Sequence, residues 1–285
     1  MIETHAGAIE RGRALLAAAG LAASELEARV LCEHAAGLDR ASLLARGSEP
    51  IDPAAAARYD HLLGRRSSRV PLAYVTGERE FWSLRLLVDH RVLVPRPETE
   101  TLVEATLERL GPAARVADVG TGSGAIVIAL ARELGSGRFL ATDRSAAALT
   151  VARENAAAHG LAQRITFLEG DLLAPLAGCQ DRLDAIVSNP PYISEQAFNT
   201  LPPNVRDHEP RLALVIEGSD GLEMYRRFAV EAPAVLAPGG RLLVEVGHDQ
   251  PGAVRAIFAA DGRWRYVGSH RDPSDPYDRV LEFTR

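Results

Sequence analysis

Apolar positions in the first part of the chain recur at the spacing of α-helices. Residues 6–19 and 24–36 are Ala-rich segments with apolar side chains three or four positions apart. Residues that stop or start helices lie between and after these segments: Gly20, Gly37, Pro50 and the pair Asp52-Pro53. The pattern predicts a small helical bundle over residues 5–68, without strands. Such a bundle either recognises a partner or braces the next domain, and we favour recognition.

Between residues 70 and 95 the pattern becomes strand-like. Phe81–Val88 and Val92–Val94 have the composition of strands, and Asp89-His90 is the predicted turn between them, so we expect a β-hairpin linker. Pro95-Arg96-Pro97 ends it, and an amphipathic helix is predicted from Glu98 to Leu110, with acidic residues suited to its N-terminus. For Glu98, a functional role and a solvated first turn are equally good interpretations.

From residue 115 onward, strand-like and helix-like segments alternate. The predicted strands are 115–119, 138–142, 165–168, 185–188, 241–246, 264–268 and 279–284, and the predicted helices are 123–134, 146–159, 221–236 and 251–259. This order is typical of an α/β fold with a doubly wound, mostly parallel sheet and helices on both faces. The last two strands have no helix between them, so we expect them to pair as a hairpin and to make one strand antiparallel.

Length and composition agree with this organisation. A chain of 285 residues is long enough for two domains, and 47% hydrophobic with 25% charged residues is a globular composition. We predict a helical domain over 1–74, a hairpin linker over 75–95 and an α/β domain over 96–285.

Charge and cysteine content narrow the class of protein. A formal net charge of −6 argues against a surface for phosphate backbones, although a local basic patch is compatible with an acidic total. Cys32 and Cys179 are far apart in sequence, so neither a disulfide framework nor a metal site is expected. No apolar run approaches about 18 residues, and the N-terminus lacks a secretory pattern. We therefore expect a cytoplasmic monomer that binds neither DNA nor a membrane.

The first predicted candidate site is a glycine-rich loop between the first strand and first helix of the α/β region. It runs Asp118-Val119-Gly120-Thr121-Gly122-Ser123-Gly124, and glycines there allow a tight turn and close approach of a ligand to free N–H groups. Asp143 ends the next strand, where a carboxylate can accept both hydroxyls of a ribose. The loop also satisfies a loose dinucleotide fingerprint, so a dehydrogenase is an alternative. The Asp118 carboxylate repels a pyrophosphate but suits the cationic amino-acid end of S-adenosylmethionine.

A third acidic residue follows the third strand of the same region. Asp171 can accept the N6 amine of an adenine, with Leu172 packing on the ring. The alternative for Asp171 is a helix N-cap. Both roles are compatible with one side chain.

The second candidate site is the turn Asn189-Pro190-Pro191-Tyr192, which ends the strand 185–188. Proline lacks an N–H and fixes its own φ, so the strand must stop there. The turn offers the Asn189 side-chain amide, the Pro190 carbonyl and the Tyr192 ring. Two acceptors beside a flat ring suit a planar group that bears an NH2. A capped strand end is the structural alternative for Asn189.

Several further runs accompany these two sites in a fixed order along the chain. They are Pro71–Gly77, Val94–Glu100, Asp118–Gly124, Ser188–Tyr192, Glu209–Leu214, Gly221-Leu222 and Leu243–Gly247. Together they resemble the protein N5-glutamine methyltransferases that modify peptide chain release factors. Asn-Pro-Pro-Tyr alone is shared with adenine-N6 and some rRNA methyltransferases, and the Pro95–Glu100 run upstream makes the combination specific.

The resemblance implies a seven-stranded, Rossmann-like class I methyltransferase domain preceded by a helical substrate-recognition domain. It implies transfer of the methyl group of S-adenosylmethionine to the glutamine of a Gly-Gly-Gln loop in class 1 release factors. The implied catalytic residues are Asn189, Pro190 and Tyr192, with Pro191 also in the substrate site. The implied cofactor-binding residues are Asp118, Gly120, Thr121, Gly122, Ser123, Gly124, Asp143, Asp171, Leu172 and Asn189. Family members often have Trp where this chain has Leu172, and the loop 272–279 is less regular than the family pattern.

Other classes of function remain as alternatives. A nucleic-acid methyltransferase acting on adenine N6 or guanine N2 presents an exocyclic amine to the same acceptor pair, but it needs a basic face and a base-flipping surface. The turn Asn189–Tyr192 would have no role in a dehydrogenase. A non-catalytic binding module would keep the fold without the acidic and Asn positions.

Overall fold

The computed structural model describes residues 3–179, 181–216, 220–271 and 276–285. These residues form two compact units. The first ends at Gly77 and also includes Pro202–His208, and the second comprises Glu78–Leu201 and Glu209–Arg285. These units differ from the three segments expected from the sequence, whose boundaries stay a prediction. Of the irregular loop 272–279, residues 272–275 lie outside the described residues.

The α-helices of the described residues are, in chain order, α1 (His5–Ala18), α2 (Ser24–Ala36), α3 (Arg40–Ala45), α4 (Pro53–Ser67), α5 (Leu72–Thr76), α6 (Glu100–Leu107), α7 (Ala125–Glu133), α8 (Ala146–Ala158), α9 (Glu195–Phe198), α10 (Pro203–Arg206), α11 (Glu223–Glu231) and α12 (Pro251–Asp261). Short 3-10 helices cover Pro97–Thr99, Ala174–Leu176, Arg211–Ala213 and Ala232–Ala234. None of the described helices combines the length and apolarity needed to span a membrane.

The strands are β1 (Glu78–Phe81), β2 (Leu84–Leu87), β3 (Arg115–Val119), β4 (Arg138–Asp143), β5 (Ile165–Glu169), β6 (Leu183–Ser188), β7 (Leu236–Glu245), β8 (Arg265–His270) and β9 (Val280–Thr284). β1 and β2 form a separate two-stranded sheet, and the others form a seven-stranded sheet among the described residues, in the order β5-β4-β3-β6-β7-β9-β8.

The first unit has the helices that the sequence predicts. α2 ends at Gly37, whose φ of +66° is the left-handed conformation that favours glycine. α4 begins with Pro53 after Asp52, whose carboxylate accepts from the Ala55 N–H at 2.9 Å. The Tyr59 side chain is fully buried and its hydroxyl donates to the Ala28 carbonyl at 3.0 Å. The predicted helical bundle is therefore confirmed at the level of its elements.

A β-hairpin is present in this region, but the predicted strands and turn are wrong: the run Phe81–Val88 is divided by the turn, and Val92–Val94 forms no strand. The two strands pair as Glu78–Phe81 with Leu84–Leu87, so Trp82 and Ser83 form the two-residue turn, and Asp89-His90 follows the hairpin. Trp82 and Ser83 both have positive φ, at 53° and 55°. Two-residue hairpin turns require this geometry and usually take Asn or Gly. The Trp82 N–H donates to Glu100 Oε1 at 2.8 Å, so a contact outside the hairpin stabilises the unusual turn.

The main sheet has the doubly wound arrangement expected from the sequence. β3 pairs in parallel with β4 and β6, β4 with β5, and β6 with β7. β9 lies between β7 and β8 and is antiparallel to both, which confirms the predicted terminal hairpin and its single antiparallel strand. Apolar side chains pack on both faces, in clusters that contain Val127 and Leu130 of α7 on one side and Phe228 and Phe258 of α11 and α12 on the other.

Three predicted boundaries of helices and strands differ from the structure. The helix expected over 221–236 ends at Glu231, and β7 begins at Leu236, ahead of the expected start at 241. Leu236 pairs with Leu183, and the register then shifts before Arg241 pairs with Ala185. The Pro-Gly-Gly run is therefore an irregularity inside a strand, because Gly239 (φ +76°) lets the strand bulge and continue. The helix expected from Glu98 is a 3-10 turn over Pro97–Thr99 followed by α6.

Packing of α1 against α4 makes a specific prediction about Gly12. A Cβ at Gly12 would lie 2.0 Å from Tyr59 Oη and 3.2 Å from Leu63 Cδ2. Ala normally stabilises a helix interior relative to Gly by about 0.5–1 kcal/mol. Here overpacking reverses the sign, and we expect Gly12→Ala to lower the free energy of unfolding by about 1–3 kcal/mol in urea titrations.

Gly64→Ala is the matched control. Gly64 lies inside α4, and a Cβ there has no atom within 4 Å. This variant should be more stable than the wild type. Equal stabilisation by both substitutions would contradict the proposed packing of Gly12 on Tyr59.

Candidate functional site

A cavity of about 270 Å³ opens at the carboxyl ends of the parallel strands. It is lined by residues that end or follow each of four strands: Val119 at the end of β3, Asp143 at the end of β4, Gly170 after β5 and Asn189 after β6. The cavity lies where the strand order reverses direction, between β3 and β6. This is the position at which open α/β sheets bind ligands.

The glycine-rich loop forms one wall of the cavity. Gly120 and Gly122 have φ of +73° and +56°, and a Cβ at either would meet nothing within 4 Å. Their backbone therefore faces open space. Gly124 differs, because its Cβ would lie 2.9 Å from Ile128 Cδ1, so its glycine serves the packing of α7.

Asp118 lies beneath this loop and does not line the cavity. Its Oδ2 accepts from the Thr121 hydroxyl at 2.6 Å and from the Val127 N–H at 3.2 Å, while its buried Oδ1 has no partner among the described residues. Burial raises the pKa of Asp118 to about 7, and the bonds from Thr121 and Val127 oppose that rise.

Thr121 and Ser123 also support the loop from behind. Both are buried, and neither lines the cavity. The Ser123 carbonyl accepts from Asn155 Nδ2 at 2.9 Å, and the same Asn155 amide bonds to the backbone of Leu87 in β2. Asn155 therefore connects the loop to the hairpin.

Asp143 lines the cavity next to the loop. Its two carboxylate oxygens accept from the Gly122 N–H and the Ser145 N–H, each at 2.9 Å. Burial raises the pKa of Asp143, and the backbone N–H bonds oppose this. Each oxygen keeps a second lone pair, so the carboxylate can still accept from two hydroxyls of a ligand.

Asp171 and Leu172 line the cavity beyond Asp143. Asp171 pairs with Arg227 of α11 at 2.9 Å, and the N-cap of the 3-10 helix Ala174–Leu176 is Leu173, so Asp171 does not cap it. Leu172 has a φ of +50°, and its carbonyl accepts from the Thr142 hydroxyl at 3.1 Å. Leu172 thus places an aliphatic side chain in the cavity wall, at a position where family members often have Trp.

The turn after β6 brings Asn189 and Pro191 to the cavity, while Pro190 and Tyr192 are not part of its lining. Asn189 Nδ2 donates to Thr99 Oγ1 at 3.1 Å. Among the described residues, no donor bonds to Asn189 Oδ1 or to the Pro190 carbonyl. Of the two residues, only Asn189 lines the cavity, so the role predicted for the Pro190 carbonyl stays a prediction.

Thr99 links the turn to a buried carboxylate. Its hydroxyl donates to Glu245 Oε2 at 2.7 Å, and Glu245 is 2% exposed at the end of β7. The Tyr192 phenol helps to hold down the pKa of this carboxylate, and the Tyr192 ring packs against the apolar core. Burial raises the pKa of Glu245 to about 7 and raises the pKa of the Tyr192 phenol.

One contact fixes the backbone of the turn, and another fixes the loop that begins at Glu209. Gln250 Nε2 donates to the Tyr192 carbonyl at 2.9 Å, and a Cβ at Gly221 (φ +84°) would lie 2.4 Å from the same oxygen. Glu209, whose side chain is fully buried, accepts from Arg96 Nη2 at 2.6 Å and from the Val94 N–H at 3.1 Å. The second contact connects the run that precedes α6 with the loop that bears Pro210 and Leu212 at the cavity.

No individual role follows from the sequence for Thr99, Asn155, Glu245 or Gln250, although Thr99 and Glu245 lie in two of the runs that carry the resemblance. For Glu245 a signal exists, since an acidic residue in the apolar run Leu243–Val246 has the same character as Asp118 in β3. Thr99 and Asn155 carry no such signal, because their partners are distant in sequence. Cys32 and Cys179 are free, and no group of three or more His, Cys, Asp or Glu side chains in the described ranges is placed to hold a metal ion.

Comparison with known families agrees with this geometry. Residues 7–77 match the family described as "PrmC N-terminal domain", and residues 110–262 match the family described as "Methyltransferase domain". A methyltransferase from Pyrococcus furiosus has a similar fold, with a TM-score of 0.53 at 17% identity over 70% of this chain and 88% of that chain.

Curated relatives extend over most of the chain. A release factor glutamine methyltransferase from Moorella thermoacetica is 51% identical over 252 residues, which cover 88% of each chain. One from Cereibacter sphaeroides is 46% identical over 247 residues, covering 87% of each chain. The identity and coverage show that this chain belongs to the release factor glutamine methyltransferase family.

Proposed function

We propose that this protein transfers the methyl group of S-adenosylmethionine to the side-chain amide nitrogen, N5, of the glutamine in the Gly-Gly-Gln loop of class 1 peptide chain release factors. The observation that carries the proposal is the arrangement at the cavity, where the open acceptor of Asn189 lies beside a glycine-rich wall and Asp143. The names of the relatives supply the class of substrate.

The cavity residues fit S-adenosylmethionine, which when bound supplies an electrophilic methyl group on a sulfonium. Backbone at Gly120 and Gly122 leaves room for close approach, and Asp143 has lone pairs for two ribose hydroxyls. Leu172 offers an apolar surface for the adenine, and Asp171 is the candidate acceptor for its N6 amine. The buried Asp118 Oδ1, which lacks a partner among the described residues, contributes negative charge beneath the loop that suits an ammonium group.

The turn after β6 addresses the main difficulty of the reaction. A carboxamide nitrogen is a poor nucleophile because its lone pair is delocalised into the carbonyl. If Asn189 Oδ1 and the Pro190 carbonyl each accept one N–H, the glutamine amide is held in one orientation with its remaining face toward the methyl donor. Positioning of this kind contributes roughly 7–11 kcal/mol in favourable cases. Neither acceptor is a strong base, so both orient the amide and leave its proton in place until the N–C bond forms.

The test is transfer of labelled methyl groups to purified release factors. We expect label on the wild-type factor and none on a factor whose loop glutamine is replaced by alanine. Bulk nucleic acid is the second control. Label on nucleic acid but not on protein would overturn the proposal in favour of a nucleic-acid methyltransferase.

Asn189→Ala tests the role of the turn. Loss of the acceptor should reduce methyl transfer about 1,000-fold or more, in line with the loss of a preorganised hydrogen-bond partner. The affinity for S-adenosylmethionine should fall only slightly, because Asp143 and the glycine-rich wall are unchanged. Isothermal titration calorimetry and the labelled-methyl assay measure the two effects. Turnover near that of the wild type would contradict the assignment.

Gly122→Ala tests the cofactor wall, with Gly160→Ala as matched control. Both glycines have positive φ, +56° and +71°, and a Cβ at either meets no atom within 4 Å. Each substitution should therefore lower the free energy of unfolding by about 1–2 kcal/mol through backbone strain. Only Gly122 lines the cavity. We expect Gly122→Ala alone to weaken S-adenosylmethionine binding by at least about tenfold, or ~1.4 kcal/mol. Equal affinities of the two variants would show that the wall does not contact the cofactor.

A further inference from the structure

Three side chains from distant parts of the second unit form a continuous hydrogen-bonded chain behind the cavity. Glu245 Oε2 accepts from the Thr99 hydroxyl at 2.7 Å, and Thr99 Oγ1 accepts from Asn189 Nδ2 at 3.1 Å. Thr99 and Glu245 are 4% and 2% exposed, so water has little access to compete for these bonds. Only the Asn189 end reaches the cavity.

The direction of these hydrogen bonds follows from the protons that each side chain can donate. A carboxylate accepts and cannot donate, and a threonine hydroxyl has a single proton. When the Thr99 hydroxyl donates this proton to the ionised Glu245 carboxylate, Thr99 has only lone pairs left for Asn189. Asn189 must then turn its NH2 toward Thr99 and its Oδ1 toward the cavity. The opposite rotamer would bring Asn189 Oδ1 against the lone pairs of Thr99.

We propose that Thr99 and Glu245 are positioning residues that set the orientation of the Asn189 side-chain amide, so that the cavity receives an acceptor and never a donor. The inference rests on the proposed function, in which Asn189 Oδ1 accepts an N–H of the substrate amide. Neither residue touches the substrate, and both act through Asn189. A wrongly turned Asn189 would present N–H groups to an NH2, and the substrate amide would lose one of its two acceptors.

The surroundings of Glu245 decide how the chain responds to pH. The Tyr192 phenol also acts on the carboxylate, and the Tyr225 hydroxyl donates to the backbone carbonyl of Glu245 at 2.8 Å. Burial raises the pKa of Glu245 to about 7, Glu98 adds to that rise, and Thr99, Arg279 and Tyr192 oppose it. Once protonated, Glu245 can donate to Thr99, which frees the Thr99 proton to point at Asn189 and reverses the preference. Activity should therefore be lost as pH falls through about 7.

The kinetic experiment compares Thr99→Val with Thr99→Ser and Thr106→Val, at saturating S-adenosylmethionine. Valine has the shape of threonine without the hydroxyl, and we expect kcat to fall about 100-fold while cofactor affinity is unchanged. Thr99→Ser keeps the hydroxyl and should restore kcat to within about threefold of the wild type. Thr106 is a buried threonine of α6, the helix that follows Thr99, and among the described residues its hydroxyl bonds only to the Leu102 carbonyl, so Thr106→Val should match the wild type. Full activity of Thr99→Val, or no rescue by serine, would overturn the inference.

The pH profile of kcat provides a readout that a merely structural role would not change. Saturating cofactor removes the contribution of Asp118, whose pKa is also raised to about 7 and which lies under the cofactor wall. The wild type should lose activity on the acid side of about pH 7, and Glu245→Gln, which cannot titrate, should lack that limb. An unchanged acid limb in Glu245→Gln would contradict the role of Glu245.

A spectroscopic measurement separates this inference from the proposed function. The Asn189 NH2 signals in a nitrogen-15 spectrum can be assigned by their disappearance in Asn189→Ala. In the enzyme without substrate, they should shift as pH passes through about 7, and Thr99→Val should abolish the shift. If the signals change neither with pH nor in Thr99→Val, the proposed hydrogen-bonded chain is contradicted, whatever the substrate is. A wild-type enzyme that shows the shift but leaves release factors unlabelled would instead overturn the proposed function.

Discussion

The parallel pairing of β3 with β4 on one side and β6 on the other is the constraint on which the site depends. Asp118 lies opposite Ala141 and Val187 in this register, so the three strands end side by side. Helices cover both faces of the sheet, and strand interiors are therefore apolar. Polar groups can reach a ligand only from the turns that follow the strands. The Ser188 hydroxyl, which donates to the Val119 carbonyl at 2.7 Å, holds two of these turns together.

Two carboxylates are exceptions to the apolar character of the strand interiors, and their burial makes the stability of the protein depend on pH. Asp118 and Glu245 are buried at the ends of β3 and β7, and burial raises the pKa of each to about 7. In the unfolded chain such groups titrate near 4. Their contribution to stability is therefore fully present below about pH 4 and is lost as pH rises toward 7, since the folded protein must then ionise buried groups. In the function proposed above, each has a role at the cavity, Asp118 by its charge beneath the glycine-rich loop and Glu245 through Thr99. The ammonium group of the proposed cofactor would offset part of that loss.

The parts of the molecule that follow from local sequence could be predicted, and those that depend on distant contacts could not. The alternation of strands and helices fixes the order of elements, and the apolar run ending in Asn189-Pro190 locates the turn at the cavity. The hairpin turn at Trp82-Ser83 contradicts local preference, because Glu100 and Glu133 hold Trp82 from outside the hairpin. Thr99 and Glu245 are 146 positions apart. Nothing in the sequence around either residue reveals the bond between them, which exists only once α6 packs against β7.

In the proposed function, the selectivity of the turn after β6 depends on the hydrogen-bond donors that it lacks. Pro190 and Pro191 have no N–H, and one N–H of the Asn189 side-chain amide donates to Thr99. Gln250 Nε2 donates to the Tyr192 carbonyl, and Gln250 Oε1 accepts from the Gly247 N–H. The acceptors of the turn that have no donor among the described residues include the Asn189 Oδ1 and the Pro190 carbonyl. A ligand group with two protons on one nitrogen satisfies both, whereas a hydroxyl satisfies one and a carboxylate neither. An acceptor left unpaired in a dehydrated site costs about 1–3 kcal/mol. Discrimination in favour of an NH2 group therefore arises from the absence of donors as much as from the presence of acceptors.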